Sequence, residues 1–188
     1  MRNLLATRTQ RILIALVATL LATRGGAAGQ AVTQPALRAA FLYNFAKFTE
    51  WPIDGAPAGP LKLCVVDDSA VEGALEELVG TSLINSRAVT VSQGESGKGL
   101  RTCSVLYLGE VASNRAAAIL DELQGAPVLT VSNGDEFVRG GGMVGLFVED
   151  GRMRFAINPE AAQRAGVRLS SRLLKLAKIL KDGLHDKP

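Results

Sequence analysis

Apolar residues fall along this chain in two patterns: short, nearly solid runs, and longer stretches in which they recur every three or four positions. The first reads as strands buried on both faces, the second as helices with one face inward. Thr33 and Pro35 open a helix that runs to Trp51 and stops at Pro52. At about 100° per residue, Leu37, Ala40, Phe41, Asn44, Phe45, Phe48 and Trp51 share one face, expected to be the core face. Leu42 and Tyr43 point elsewhere and need a second surface, either a neighbouring loop or a partner.

Beyond a Pro/Gly/Ala linker from Ile53 to Pro60, Leu61 to Val66 is a buried strand. Ser69 and Glu72 stand in capping-box spacing ahead of a helix through Val79. Ala88 to Ser92 reads as a strand, Gln93 to Gly99 as a glycine-rich surface loop, and Cys103 to Leu108 as a third strand. A helix from Ser113 to Leu123 and a strand from Val128 to Ser132 follow. Met143 to Glu149 and Arg152 to Asn158 are strands joined by Asp150-Gly151, a strong signal for a two-residue hairpin. Ser170 and Ser171 cap a last helix to Lys181, with Leu173, Leu176, Ala177 and Leu180 inward.

Strand alternating with helix, then a hairpin, predicts a single three-layer Rossmann-like α/β domain. Its mostly parallel sheet of about six strands carries a C-terminal antiparallel hairpin and is flanked by helices. In the common doubly wound order the first and third strands are neighbours, which would bring Cys64 beside Cys103.

The N-terminus changes how the composition is read. Arg2, Arg8 and Arg11, an apolar run from Ile12 to Ala22 and a small-residue zone from Thr23 to Gln30 have the order of a secretory signal peptide, here residues 1–28. The run is about half of the roughly 20 residues a membrane span needs, and no cysteine near Ala28 offers a lipid attachment point. Removing that leader takes Arg2, Arg8, Arg11 and Arg24 from the 21 basic residues, leaving 17 against 18 acidic in residues 29–188. A balance near neutrality gives no case for nucleic-acid binding. Outside the cytoplasm a lone pair of cysteines is most simply one disulfide, two free buried thiols being the alternative.

Candidate chemistry is sparse. The single histidine, His185, stands three residues from the end, which argues against a Ser or Cys triad and removes the commonest zinc ligand. Gly140 to Gly145 matches G-x-G-x-x-G but leads into a strand and not a helix, so it reads as a flexible loop and not a dinucleotide site. Asp67-Asp68, at the carboxyl end of the first strand, occupies the edge where open α/β sheets bind ligands, and with Gly109 and Ser132 forms a candidate small-molecule site. An aspartate that a phospho-receiver would need at the third strand is replaced by Leu108-Gly109-Glu110. Asp68 and Ser69 otherwise serve simply to start the next helix. Arg164, Arg168, Arg172, Lys175, Lys178 and Lys181 make the C-terminal region basic, either as a solvated face or as a contact for an acidic partner or a membrane surface.

Four stretches carry a family likeness. AFLYNFAKFTEWP at Ala40 to Pro52, LCVVDD at Leu63 to Asp68, Pro127 to Asn158 and Ala161 to Ile179 together resemble the YfiR-like family of periplasmic proteins in order and over nearly the whole chain after the leader. The resemblance implies an exported, non-enzymatic regulator with no cofactor, which binds the periplasmic sensor domain of an inner-membrane diguanylate cyclase and keeps cyclic di-GMP low. It also implies release by an outer-membrane lipoprotein, a homodimer, and a disulfide at Cys64 and Cys103; the second cysteine pair of the type member has no counterpart here. Candidate partner residues are Leu42, Tyr43 and Lys47 on the first helix and Arg168, Arg172 and Lys175 on the last. A competing expectation is a small-molecule sensor module, at Asp67, Gly109 and Ser132, acting on a membrane sensor kinase.

Overall fold

A computed structural model describes residues 33–52, 59–94 and 99–181. The leader, most of the Ile53 to Pro60 linker, part of the Gln93 to Gly99 loop and His185 lie outside the described residues. In chain order the elements are α1 (Gln34–Lys47), β1 (Thr49–Glu50), β2 (Leu61–Val66), α2 (Ser69–Val79), β3 (Leu83–Ile84) and β4 (Arg87–Gln93). A 3-10 turn at Leu100–Thr102 leads to β5 (Val105–Leu108), α3 (Ser113–Glu122), β6 (Leu129–Asn133), α4 (Gly134–Arg139), β7 (Val144–Glu149) and β8 (Arg152–Ile157). The chain closes with α5 (Pro159–Arg164), β9 (Arg168–Leu169), α6 (Ser171–Leu176) and β10 (Lys178–Ile179).

Eight strands form one sheet in the order β10-β8-β7-β6-β5-β2-β4-β3. From β4 through β2, β5 and β6 to β7 the neighbours are parallel, and β7 and β8 form the expected antiparallel hairpin. At its turn Asp150 and Gly151 take φ of 51° and 70°, the left-handed values that a two-residue turn between twisted strands requires. The first and third strands of the doubly wound order, β2 and β5, are neighbours, with Cys64 opposite Leu106. Cys103 lies just before β5 and not within it, and is bonded to Cys64 across a separation of 39 residues. In the chain-entropy account a loop of that length stabilises by about 4 kcal/mol.

Solid apolar strands suit this sheet because both faces are covered. Leu61, Leu63, Val65, Val105, Tyr107, Leu129, Val131, Val144 and Leu146 pack toward α1 and α2, whereas Cys64, Val66, Leu106, Leu108 and Val128 pack toward α3 and Phe137.

The ends of several elements differ from the sequence reading. The capping oxygen of α2 comes from Asp68, one residue before Ser69, whose Oδ1 accepts from Val71 N at 3.0 Å. α1 stops at Lys47, and Phe48 caps it. Thr49 and Glu50 leave the helix to pair antiparallel with Leu169 and Arg168 in a separate two-stranded sheet. The core face of α1 is also turned from the one expected. Ala39, Leu42, Phe45 and Ala46 are buried, Leu42 at 1% exposure, while Asn44 is exposed. Apolar residues occur nearly all round this helix, so periodicity barely prefers a direction; packing of α1 against both the sheet and α2 decides it. Phe41, expected at the centre of the core face, instead flanks it, 5.9 Å from the rings of both Phe45 and Phe155.

The last helix is likewise shorter than expected. α6 ends at Leu176, and Lys178 and Ile179 turn extended to pair with Ala156 and Ile157 of β8. Leu173 points inward as expected, but Leu176 is 68% exposed. Nor is the Gly140 to Gly145 segment a loose loop. A Cβ on Gly142 would lie 2.2 Å from the Phe137 ring, and one on Gly145 would lie 2.2 Å from Gly134 O, so both glycines are sites of close approach.

Candidate functional site

Two places in the fold gather the side chains singled out above. At the carboxyl edge of β2 and β5 the doubly wound topology creates its switch point, where such sheets open a crevice. Here the loops at that edge make close contacts with one another. Asp67 stands at φ 55° and pairs with Arg115. Gly109 packs so closely beneath it that a Cβ would lie 2.6 Å from Asp67 O and 2.8 Å from Asp68 Cβ. Ser132 Oγ donates to Leu108 O at 2.8 Å. Asp67, Gly109 and Ser132 thus each have a structural contact at this edge.

Behind them sits a polar group that sequence reasoning missed. Tyr107 is fully buried, its hydroxyl 3.5 Å from Asp68 Oδ2 and 3.4 Å from Asn133 Oδ1, with one proton to donate between the two. Burial pushes this hydroxyl up to about 12; the charge of Arg38 opposes the rise and that of Asp68 adds to it. Arg38 reaches this region from α1, and its buried Nε has no hydrogen-bond partner among the described residues. A tyrosine inside a solid apolar strand carries no period signal of its own, which is why only its burial reveals it.

The second place is the junction between the end of α1 and the start of α6. Pairing of β1 with β9 sets Glu50 opposite Arg168. Ser170 N donates to Phe48 O at 3.0 Å, and Thr49 Oγ1, buried, donates to Phe45 O at 2.6 Å. These bonds replace the helical ladder where α1 ends. The Arg172 guanidinium lies over the Phe48 ring at 5.6 Å, and Trp51 Nε1 donates to Ser104 O at 3.2 Å, tying the segment to the sheet. A cleft of about 950 Å³ opens beside the pairing, lined among others by Glu50, Trp51, Gln163, Gly166, Arg168 and Leu174.

Of the candidate partner residues, Arg168 is set opposite Glu50 by the β1–β9 pairing and Arg172 lies over Phe48, while Lys47 is exposed at the end of α1 and Lys175 on the exposed side of α6. Tyr43 is half-buried against the core. Leu42 is not at the surface at all; it belongs to the core, and its proposed contact with a partner is corrected accordingly. Glu50, Trp51, Gln163 and Gly166 were not singled out as a site. The adjacency of Trp51 and Pro52 to the end of an aromatic-rich helix was the signal available for them. Among the described residues no group of three or more His, Cys, Asp or Glu side chains is placed to hold a metal, and no helix is long and apolar enough to cross a membrane.

A family model described as YfiR/HmsC-like matches residues 35–178. The chain belongs to the YfiR/HmsC-like family. That family is a regulatory, non-catalytic group. The family match takes in both halves of the junction, α1 with its Trp-Pro stop and the segment from β9 through α6. Among solved structures, the chain is similar to a conserved domain protein from Vibrio cholerae, with a TM-score of 0.47 and 12% identity over 79% of this chain; it spans 60% of that protein's length.

Proposed function

We propose that this YfiR/HmsC-like protein acts in the periplasm as a repressor by binding: it docks on the periplasmic domain of an inner-membrane diguanylate cyclase and holds the enzyme in its inactive state. The observation that carries this reading is the convergence of two distant family stretches. Ala40 to Pro52 and Ala161 to Ile179 meet at the β1–β9 pairing, where Arg168 stands opposite Glu50 and Arg172 lies over the Phe48 ring, with Lys47 closing α1 two residues before the pairing. A regulator of this kind needs complementary surface and a preference for one state of its target. Tyr43 and Lys175 extend the proposed surface on either side, and a homodimer and an outer-membrane lipoprotein that withdraws the repressor complete the reading.

The test is deletion of the gene with measurement of cellular cyclic di-GMP, followed by complementation with the wild type and with an Arg168→Glu, Arg172→Glu double variant. Deletion is expected to raise cyclic di-GMP, wild type to restore it and the double variant to fail while remaining folded. Unchanged cyclic di-GMP on deletion would count against repression.

The cleft of about 950 Å³ beside Trp51 and Arg168 favours a second reading, a small-molecule input to the same junction. Its size suits a drug-sized ligand, and the carboxyl edge at Asp67, Gly109 and Ser132 is the alternative seat. Calorimetry against periplasmic metabolites, repeated with Trp51→Ala and Ser132→Ala variants, distinguishes the two.

A further inference from the structure

Charge is distributed very unevenly along this chain. Between Ala161 and Lys181 six basic residues, Arg164, Arg168, Arg172, Lys175, Lys178 and Lys181, occur without one acid, whereas residues 29–160 hold 10 basic against 16 acidic. All six are exposed. The same segment carries two of the most exposed large apolar side chains of the described residues, Leu176 at 68% and Ile179 at 50%. Leu176 ends α6, whose inward position is filled by Leu173, and Ile179 sits in β10, the last strand at its edge of the sheet. Lys178 between them is held by Asp135 and by the Phe147 ring, and Lys181 lies 3.8 Å from Glu160 while 82% exposed. Along this rim cations and apolar tips therefore alternate as Lys175, Leu176, Lys178, Ile179 and Lys181.

We propose that the α6–β10 rim docks the protein on the surface of an anionic phospholipid bilayer. Headgroup phosphates match the ammonium and guanidinium groups, and the shallow acyl boundary takes Leu176 and Ile179 out of water. An acidic protein surface would answer the same charges, and the lipid experiment below separates the two. The acidic excess of residues 29–160 sharpens the match, because an anionic surface repels that part of the chain and attracts only this rim, which orients the molecule. The proposal goes beyond cyclase repression and stands without it.

The experiment sediments residues 29–188 with lipid vesicles. Thr33–Pro188 forms a compact unit of its own, and omitting the leader prevents its apolar run from supplying the binding. Vesicles containing phosphatidylglycerol are expected to bind the protein roughly tenfold more strongly than phosphatidylcholine vesicles, and the difference to vanish at about 0.5 M salt. Lys175→Glu with Lys181→Glu is expected to abolish the preference. Leu176→Ser with Ile179→Ser should weaken binding several-fold while leaving its salt dependence in place, and Arg139→Glu on α4 should change nothing. Circular dichroism melting checks that each variant is folded. Equal binding or none to the two vesicle types, or an unchanged preference in the Lys175→Glu, Lys181→Glu variant, overturns the proposal. So does a rim whose variants lose only the cyclase domain, with the wild type ignoring vesicles.

Discussion

The carboxyl edge of β2 and β5 and the β1–β9 junction differ in how their space is used. At the first, two loops interlock through Gly109 and Asp67, and the buried Tyr107 hydroxyl faces Asp68 and Asn133. At the second, a short strand pairing leaves a cleft with a tryptophan, a glutamate and an arginine on its walls. A doubly wound sheet conventionally keeps its ligands at the first kind of place. Here the loops of that edge touch closely, and a cleft of about 950 Å³ opens where two distant family stretches meet. Topology therefore says where a crevice forms, but side chains and loops decide whether it stays open.

The strongest way to break the comparison is Gly109→Val. Its side chain would collide with the backbone of Asp67, and the domain is expected to lose about 3 kcal/mol, read from the midpoint of urea unfolding. A loss below about 1 kcal/mol would mean that the carboxyl edge is looser than the contacts imply.

A second test uses pH. Folding raises the Tyr107 hydroxyl from 10.0 to about 12, so the folded state favours its protonated form. That contribution is fully present below pH 10 and is lost as pH climbs from about 10 to about 12, because the unfolded chain ionises first. A shift of this size corresponds to roughly 2 to 3 kcal/mol. Thermal unfolding should fall across that window in the wild type and stay flatter in Tyr107→Phe; parallel curves would remove Tyr107 as the cause.

Thr49→Val probes the junction. It removes the hydroxyl that bonds Phe45 O, with an expected cost of about 1 kcal/mol, and should also weaken whatever binds beside β1, as measured by calorimetry. Smallest of all should be Arg172→Leu. An exposed cation over an aromatic ring contributes roughly 0.5 kcal/mol, so stability should scarcely move. Under the proposed function, repression of the cyclase is expected to fall much more, and a variant that represses normally would separate Arg172 from the proposed binding surface.

The candidate site was only partly legible. Arg168, Arg172 and Lys47 could be named because basic residues beside a family motif stand out in a line of text. The cleft that Arg168 borders could not, since Glu50 and Trp51 after α1 meet Gln163 and Gly166 of the distant α5 segment only through pairing. Leu42 shows the opposite failure. On a helix with apolar residues almost all round, periodicity offered a face to the solvent that α2 and the sheet in fact cover.

By itself the sequence determined the order of strands and helices, the Asp150-Gly151 hairpin and the concentration of positive charge near the C-terminus. Each follows from local physics: buried strands need solid apolar runs, a two-residue turn needs left-handed backbone, and charge is simply counted. The parallel neighbourhood of β2 and β5 was also within reach, because few ways of winding such a sheet are available. Only the tertiary structure decided where α1 and α6 end, which side of α1 is buried, and whether the crevice at Gly109 is open. Those outcomes depend on partners far away in the chain: Thr49 with Leu169, and Lys178 with Ala156. A two-residue strand has no period to read, and its hydrogen bonds outweigh another half-turn of helix only once the distant strand is in place.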